Sequence, residues 1–180
     1  MRIVSGIYKG RRFNQKIPPG VRPTTDRDRE SIFNIISNLL EIEASIFLDL
    51  FSGTGFMGIE AISRGAEKVY FVDRSYKSLS FTKMILEELK IEEDNYSIHK
   101  IDSIKYLKES KINYDVVFID PPYNKPELIN QALEYLQKQP IDSLIIIESD
   151  KKLVFDKSQF YELRTKESGT STFYFIRNVK

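Results

Sequence analysis

Cysteine is absent from the 180-residue chain, so neither a disulfide framework nor a thiolate zinc site can organise it. No apolar run approaches the roughly 18 residues that a membrane span needs, and the N-terminus lacks a signal-peptide core. A cytoplasmic protein is the expectation, with no membrane and no metal as partner. Histidine occurs once, at His99, in a stretch that reads as a strand. It is expected to be a satisfied or solvent-facing strand residue rather than a catalytic base. No internal repeat, low-complexity segment or linker argues for a second domain.

Net charge is also scarce, at +1, but it is unevenly spread. Residues 1–29 carry eight positive side chains against two negative, a net +6, and the remainder is −5. A basic arm on a mildly acidic body suits a polyanionic partner. Hydrophobic residues at 41% and charged residues at 29% are those of a globular chain, and the length suffices to bury about 70% of the unfolded-chain surface.

The most informative stretch is Tyr114-Asp115-Val116-Val117-Phe118-Ile119-Asp120-Pro121-Pro122-Tyr123. Val116–Ile119 is apolar throughout and rich in β-branched residues, which predicts a strand buried on both faces of a parallel sheet. The proline pair ends it, because one proline removes a backbone donor and the next restricts its neighbour. Asp120 therefore lies at the carboxyl end of a central strand, where open α/β sheets place their ligands. A carboxylate, the Pro121 carbonyl and the Tyr123 ring suit one task. The oxygens accept both hydrogens of a planar amino group, and the ring stacks on the base that bears it. Acceptors aimed at those hydrogens position the amine and favour positive charge developing on nitrogen as it attacks.

The rest of the chain supplies the frame. Arg2–Ser5 and Arg11–Asn14 read as two short strands of a hairpin. Thr25 with Asp28 three residues on marks a helix start, and Ile32, Ile35, Ile36, Leu39 and Leu40 form its apolar stripe. From Ile46 strands and helices alternate. Strands are expected at 46–50, 68–72, 96–101, 116–119 and 144–147, and helices at 56–64, from Ser75, at 103–108 and from Pro126. A closing hairpin of 160–164 and 172–177 turns around Gly169, with Phe173-Tyr174-Phe175 as core and sheet edge. The pattern predicts a doubly wound, mostly parallel α/β sheet. One unit is expected over 1–180, with an arm at 1–25, a helix at 26–42 and a core at 46–180.

The first strand runs into Asp49-Leu50-Phe51-Ser52-Gly53-Thr54-Gly55-Phe56-Met57-Gly58. Gly53 and Gly55 allow a tight turn and close backbone approach to a ligand, and Gly58 allows close helix–strand packing. Asp73, followed by Arg74, ends the second strand, where its carboxylate can accept from ribose hydroxyls. These features suit an NAD-dependent oxidoreductase as well as an S-adenosylmethionine enzyme. Three others favour the latter. Asp49 can meet an ammonium group or order the loop, Asp102-Ser103 ends the third strand where an adenine amine could donate, and Asp120-Pro121-Pro122-Tyr123 ends the fourth. The candidate cofactor set is Asp49, Phe51, Ser52, Gly53, Gly55, Asp73, Arg74, Asp102 and Ser103. The candidate catalytic set is Asp120, Pro121 and Tyr123.

Together with Arg2-Ile3-Val4-Ser5-Gly6, Lys9-Gly10-Arg11-Arg12, Arg22-Pro23-Thr24-Thr25-Asp26-Arg27 and Phe33-Asn34-Ile35, these motifs give a chain that resembles the RsmD family over essentially its whole length. That resemblance implies a class I methyltransferase fold with seven strands, an antiparallel C-terminal hairpin and a small N-terminal hairpin extension. It implies S-adenosylmethionine as cofactor and methylation of a guanine N2 in 16S ribosomal RNA, within the small subunit or an assembly intermediate. A monomer is expected. Lys9, Arg11, Arg12, Arg22, Thr24 and Arg27 are the candidate RNA contacts. An amino methyltransferase acting on DNA adenine or on protein glutamine, and an inactive RNA-binding module, stand as alternatives.

Overall fold

The computed structural model describes residues 1–138 and 142–179, so that residues 139–141 and 180 of the expected core lie outside the described residues. Seven strands form one sheet: β1 (Ile46–Leu50), β2 (Lys68–Asp73), β3 (Tyr96–Lys100), β4 (Val116–Ile119), β5 (Leu144–Ser149), β6 (Phe160–Ser168) and β7 (Ser171–Asn178). Their order is β3-β2-β1-β4-β5-β7-β6. The first five are parallel, and β7 inserts antiparallel between β5 and the edge strand β6. Phe173-Tyr174-Phe175 is thus interior to the sheet, and the edge falls to β6. Among the described residues the α-helices are α1 (Asp26–Leu39), α2 (Phe56–Ser63), α3 (Tyr76–Glu88), α4 (Ser103–Glu109) and α5 (Glu127–Leu136).

Side chains alternate across the strands and split the core in two. Phe47, Val69, Phe71, Val116, Phe118 and Ile146 face α1, α2 and α3. Leu48, Leu50, Val117, Ile119, Ile145 and Ile147 face α4 and α5. Because each central strand is covered on both sides, β4 and β5 are buried at every residue, as their unbroken apolar runs require. Gly58 matters to this packing. A Cβ there would lie 2.3 Å from the Phe71 ring, so only glycine lets α2 settle onto β2.

The N-terminal segment folds back on itself as the expected hairpin, though an irregular one. Met1 and Phe13 exchange backbone hydrogen bonds, Ile3 N donates to Arg11 O and Gly10 N to Ile3 O, around an antiparallel Arg2–Arg12 bridge rather than two regular strands. The segment is anchored on α2 as well: Glu60 accepts from the amides of Val4 and Ser5 at 2.8 and 2.9 Å, and Ser63 engages Tyr8, Ile7 and Ser5. Arg29 is fully buried there, bonded to Asp26, Thr24 O and Arg2 O and paired with Glu60. It therefore adds nothing to the basic surface of the arm. On α1, which ends at Leu39 rather than residue 42, Arg29, Ile32, Phe33 and Ile36 are fully buried, and Ile35, Leu39 and Leu40 pack partly buried against the same core. The Thr25 cap forms as expected, accepting from Asp28 N.

The strand order reverses between β1 and β4, whose register pairs Leu50 with Ile119. Ligands of doubly wound sheets bind outside the carboxyl ends at that reversal. Among the described residues, no helix is long and apolar enough to cross a membrane.

Candidate active site

A cavity of about 480 Å³ opens at that reversal. Its walls are the loop after β1, the ends of β2, β3 and β4, and a strap of residues 20–24 folded across it. Asp49, Phe51, Ser52, Gly53, Asp73, Arg74, Asp102, Ser103, Asp120, Pro121 and Tyr123 all line it, with Arg22 and Thr24 from the strap. The structure brings together every expected cofactor and catalytic residue except Gly55.

The loop after β1 is shaped by left-handed backbone. Phe51 adopts φ +62, a conformation that costs a non-glycine residue about 1–3 kcal/mol, and Gly53 and Gly55 follow at +52 and +71. Asp73 fixes this loop from β2, one oxygen accepting from Gly53 N at 2.9 Å and the other from Ser75 N at 2.7 Å. Each oxygen keeps a lone pair for a ligand hydroxyl, so loop ordering and ribose binding are compatible. Gly55 looks the other way. A Cβ on it would meet Thr82 of α3 at 2.4 Å, so both its φ and this packing demand glycine. Asp102 caps α4, accepting from Ile104 N and Lys105 N. Ser52 Oγ is buried and, among the described residues, makes no hydrogen bond.

Asp49 is buried and accepts from Gly58 N at 3.0 Å, so of its two expected roles the one on view is ordering the loop and helix start. Burial pushes its carboxyl up to about 7, against the pull of the Gly58 amide, and the Asp73 charge adds to the rise. Asp120 is raised well above the usual carboxylate range by burial, then by the charges of Glu148 and Asp49, while Arg22 opposes. A carboxyl protonated in the folded state and ionised in the unfolded one loses stability as pH rises between its two pKa values. The empty protein should therefore melt at lower temperature as pH climbs from about 4 to 7. Asp49→Asn, whose amide oxygen still accepts from Gly58, should reduce that slope in thermal melts. An unchanged slope would clear Asp49 of responsibility for it.

Tyr123 lines the cavity with its ring about one third exposed, and its hydroxyl lies 3.3 Å from Glu148 Oε1 and 3.2 Å from Ser171 Oγ. Glu148, the penultimate residue of β5, stands behind the cavity and is in none of the candidate sets. Its signal was the one used on the other strands, a carboxylate directly after a buried apolar run. Val21 was also missed. It packs on Gly53, where a Cβ would approach it to 3.0 Å.

The expected RNA contacts divide. Arg22 and Thr24 belong to the cavity, and Arg27 lines a separate groove with Lys166. Lys9, Arg11 and Arg12 are exposed on the N-terminal turn. Ile7 N donates to Ser63 O at the far end of α2, which puts the tip of that turn about 12 Å, the length of this eight-residue helix, from Phe56 at the cavity. Phe13, next to Arg12, returns to touch the Phe56 ring. Elsewhere, His99 bonds to Ser97 and stacks on Tyr70, outside the cavity.

What the cavity can hold follows from this chemistry. Buried carboxyls whose burial and mutual repulsion resist ionisation favour a cationic ligand and disfavour a pyrophosphate. The unpartnered Ser52 hydroxyl and the Asp73 and Asp102 carboxylates suit the hydroxyls and amine of a nucleoside. The residues present fit S-adenosylmethionine, which is a nucleoside and a sulfonium cation together.

Comparison with known proteins agrees with this geometry. The family described as conserved hypothetical protein 95 matches residues 1–177. Ribosomal RNA small subunit methyltransferase D of Buchnera aphidicola subsp. Baizongia pistaciae is 38% identical over 156 residues, covering 85% of this chain and 78% of that protein. The protein of the same name from Haemophilus influenzae is 31% identical over 184 residues, covering 99% and 94%. Among solved structures, Escherichia coli yhhF superposes with a TM-score of 0.86 at 27% identity, covering 99% of this chain and 97% of its own.

Proposed function

Since the chain belongs to the conserved hypothetical protein 95 family, we propose that it is an S-adenosylmethionine-dependent methyltransferase of small-subunit ribosomal RNA. The observation that carries this reading is Asp120-Pro121-Pro122-Tyr123 at the end of β4, in the same cavity as the glycine loop of β1 and the carboxylates of β2 and β3. An oxidoreductase has no use for that motif, and the buried carboxyls suit a sulfonium better than a dinucleotide phosphate. The acceptor is the N2 amine of a guanine, and the substrate is the small subunit or an assembly intermediate. The protein works as a cytoplasmic monomer.

Ser52, Asp73 and Asp102 would hold the cofactor's nucleoside, and the carboxyls of Asp49 and Asp120 would suit its cationic end. When bound, S-adenosylmethionine supplies an electrophilic methyl group. Asp120 and the Pro121 carbonyl accept from the amine and fix its direction of attack, and Tyr123 stacks on the base, which has left its neighbours to enter. Once methylated, the amine is cationic and acidic, and Asp120 or water takes its proton. Little covalent work falls to the protein, so positioning and electrostatics dominate. Tritium transfer from labelled cofactor to ribosomal RNA tests the reading. Label in small-subunit RNA supports it, and binding of NAD without methyl transfer overturns it.

The exposed Lys9, Arg11 and Arg12 grip phosphates beside the target. Changing all three to alanine should raise KM for RNA and flatten its salt dependence, the slope falling by about 1 for every phosphate no longer gripped. Cofactor binding should barely change. Equal RNA affinity at every salt concentration would leave the arm as a solvated turn.

A further inference from the structure

We infer that Glu148 is a positioning residue for methyl transfer, joining the strap to the catalytic motif and setting the charge beside Asp120. The inference rests on the methyltransferase reading above and adds a residue to it. Register supplies the first reason. Ile119 of β4 pairs with Ile147 of β5 in parallel, so the next residues, Asp120 just beyond β4 and Glu148 within β5, lie on neighbouring strands about 4.8 Å apart. Glu148 is 7% exposed, and its two oxygens reach two different elements. Oε2 accepts from Thr24 Oγ1 of the strap at 3.2 Å, and Oε1 from the Tyr123 hydroxyl at 3.3 Å. One carboxylate thus fixes the ring that stacks on the base and the segment that closes the cavity. A buried charge that made only a structural link would be expensive there, and a neutral side chain could bridge the same groups more cheaply.

The groups around the pair are few. Arg22 of the strap faces Asp120, Asp49 of β1 adds a like charge, and Asp28 at the start of α1 acts on Glu148. The hydroxyls of Ser171, Thr24 and Tyr123 favour an ionised Glu148, whereas only the Arg22 charge counters the burial and like charges that hold Asp120 protonated. Glu148 therefore ionises first, and its charge keeps Asp120 protonated to higher pH. Since an ionised Asp120 faces the charge developing on the amine and can take its proton, whereas a protonated one can do neither, methyl transfer should rise with pH through the titration of Asp120.

The test is methyl transfer to ribosomal RNA by the full chain from pH 5.5 to 9, for the natural protein and Glu148→Gln. Glutamine keeps the shape, loses the charge and cannot accept from both partners as well as a carboxylate. The acid limb of kcat should move down by about half a pH unit or more, and KM for RNA should rise several-fold. Tyr123→Phe should raise KM without moving the limb. A Glu148→Gln profile superimposable on the natural one overturns the inference, and absence of transfer by the natural protein overturns the methyltransferase reading instead. Should Glu148→Gln not fold, Thr24→Val and Tyr123→Phe replace it. Both act through one carboxylate, so their effects on KM should be non-additive, and strict additivity overturns the inference.

Discussion

Asp120→Ala is expected to slow methyl transfer about 10²–10³-fold while leaving cofactor affinity within a few-fold. The carboxylate lies at the point where β4 ends beside the loop of β1, and its neighbours Glu148 and Asp49 make ionisation costly. That cost is tolerable when positive charge develops opposite it, on the amine in the transition state. Loss of the group should therefore fall mainly on kcat. Asp120→Asn, which keeps one acceptor oxygen and loses the charge, should lie between the alanine variant and the natural protein. A single-turnover assay separates the cases. Natural speed in the alanine variant would remove Asp120 from the chemistry.

The second large effect is expected at Gly55, through the fold. Its φ of +71 costs an L-residue about 1–2 kcal/mol, and a Cβ would collide with Thr82 of α3 at 2.4 Å. Overpacking of that kind adds about 1–3 kcal/mol more, and valine also brings two methyl groups. Set against a typical domain stability of about 5–15 kcal/mol, Gly55→Val should lower the melting temperature by several degrees or more. It should also distort the loop that Asp73 orders, so calorimetry should find cofactor affinity at least about tenfold weaker. A variant that melts normally and binds normally would contradict both the packing and the role of the loop.

That contrast shows what the sequence could carry. Strand β4 reads directly from Val116–Ile119, because a doubly buried strand is apolar at every position and a proline pair ends it. Glu148 was missed because the apolar run of β5 ends at Ile147, and a carboxylate one residue later reads as the start of a loop. Only the pairing of Ile119 with Ile147 places it beside Asp120. The tight turn expected at Gly55 is there, at φ +71, but a glycine pattern does not reveal that Thr82 crowds the backbone on one side. Arg29 looked like one more charge on a basic arm. Its burial depends on Glu60, 31 residues away, which no local pattern announces. Nor could local pattern show that the N-terminal hairpin satisfies its remaining backbone amides on Glu60 and Ser63 of α2.

Everything turns on what sits between Asp120 and Tyr123 when the methyl group moves. The most direct measurement is transfer of tritiated methyl to small ribosomal subunits lacking the modification, followed by digestion of the RNA and identification of the labelled nucleoside. The predicted product is N2-methylguanosine from small-subunit RNA, formed by the natural protein and close to background with Asp120→Ala. Label in any other nucleoside, or the same yield from the alanine variant, would contradict it.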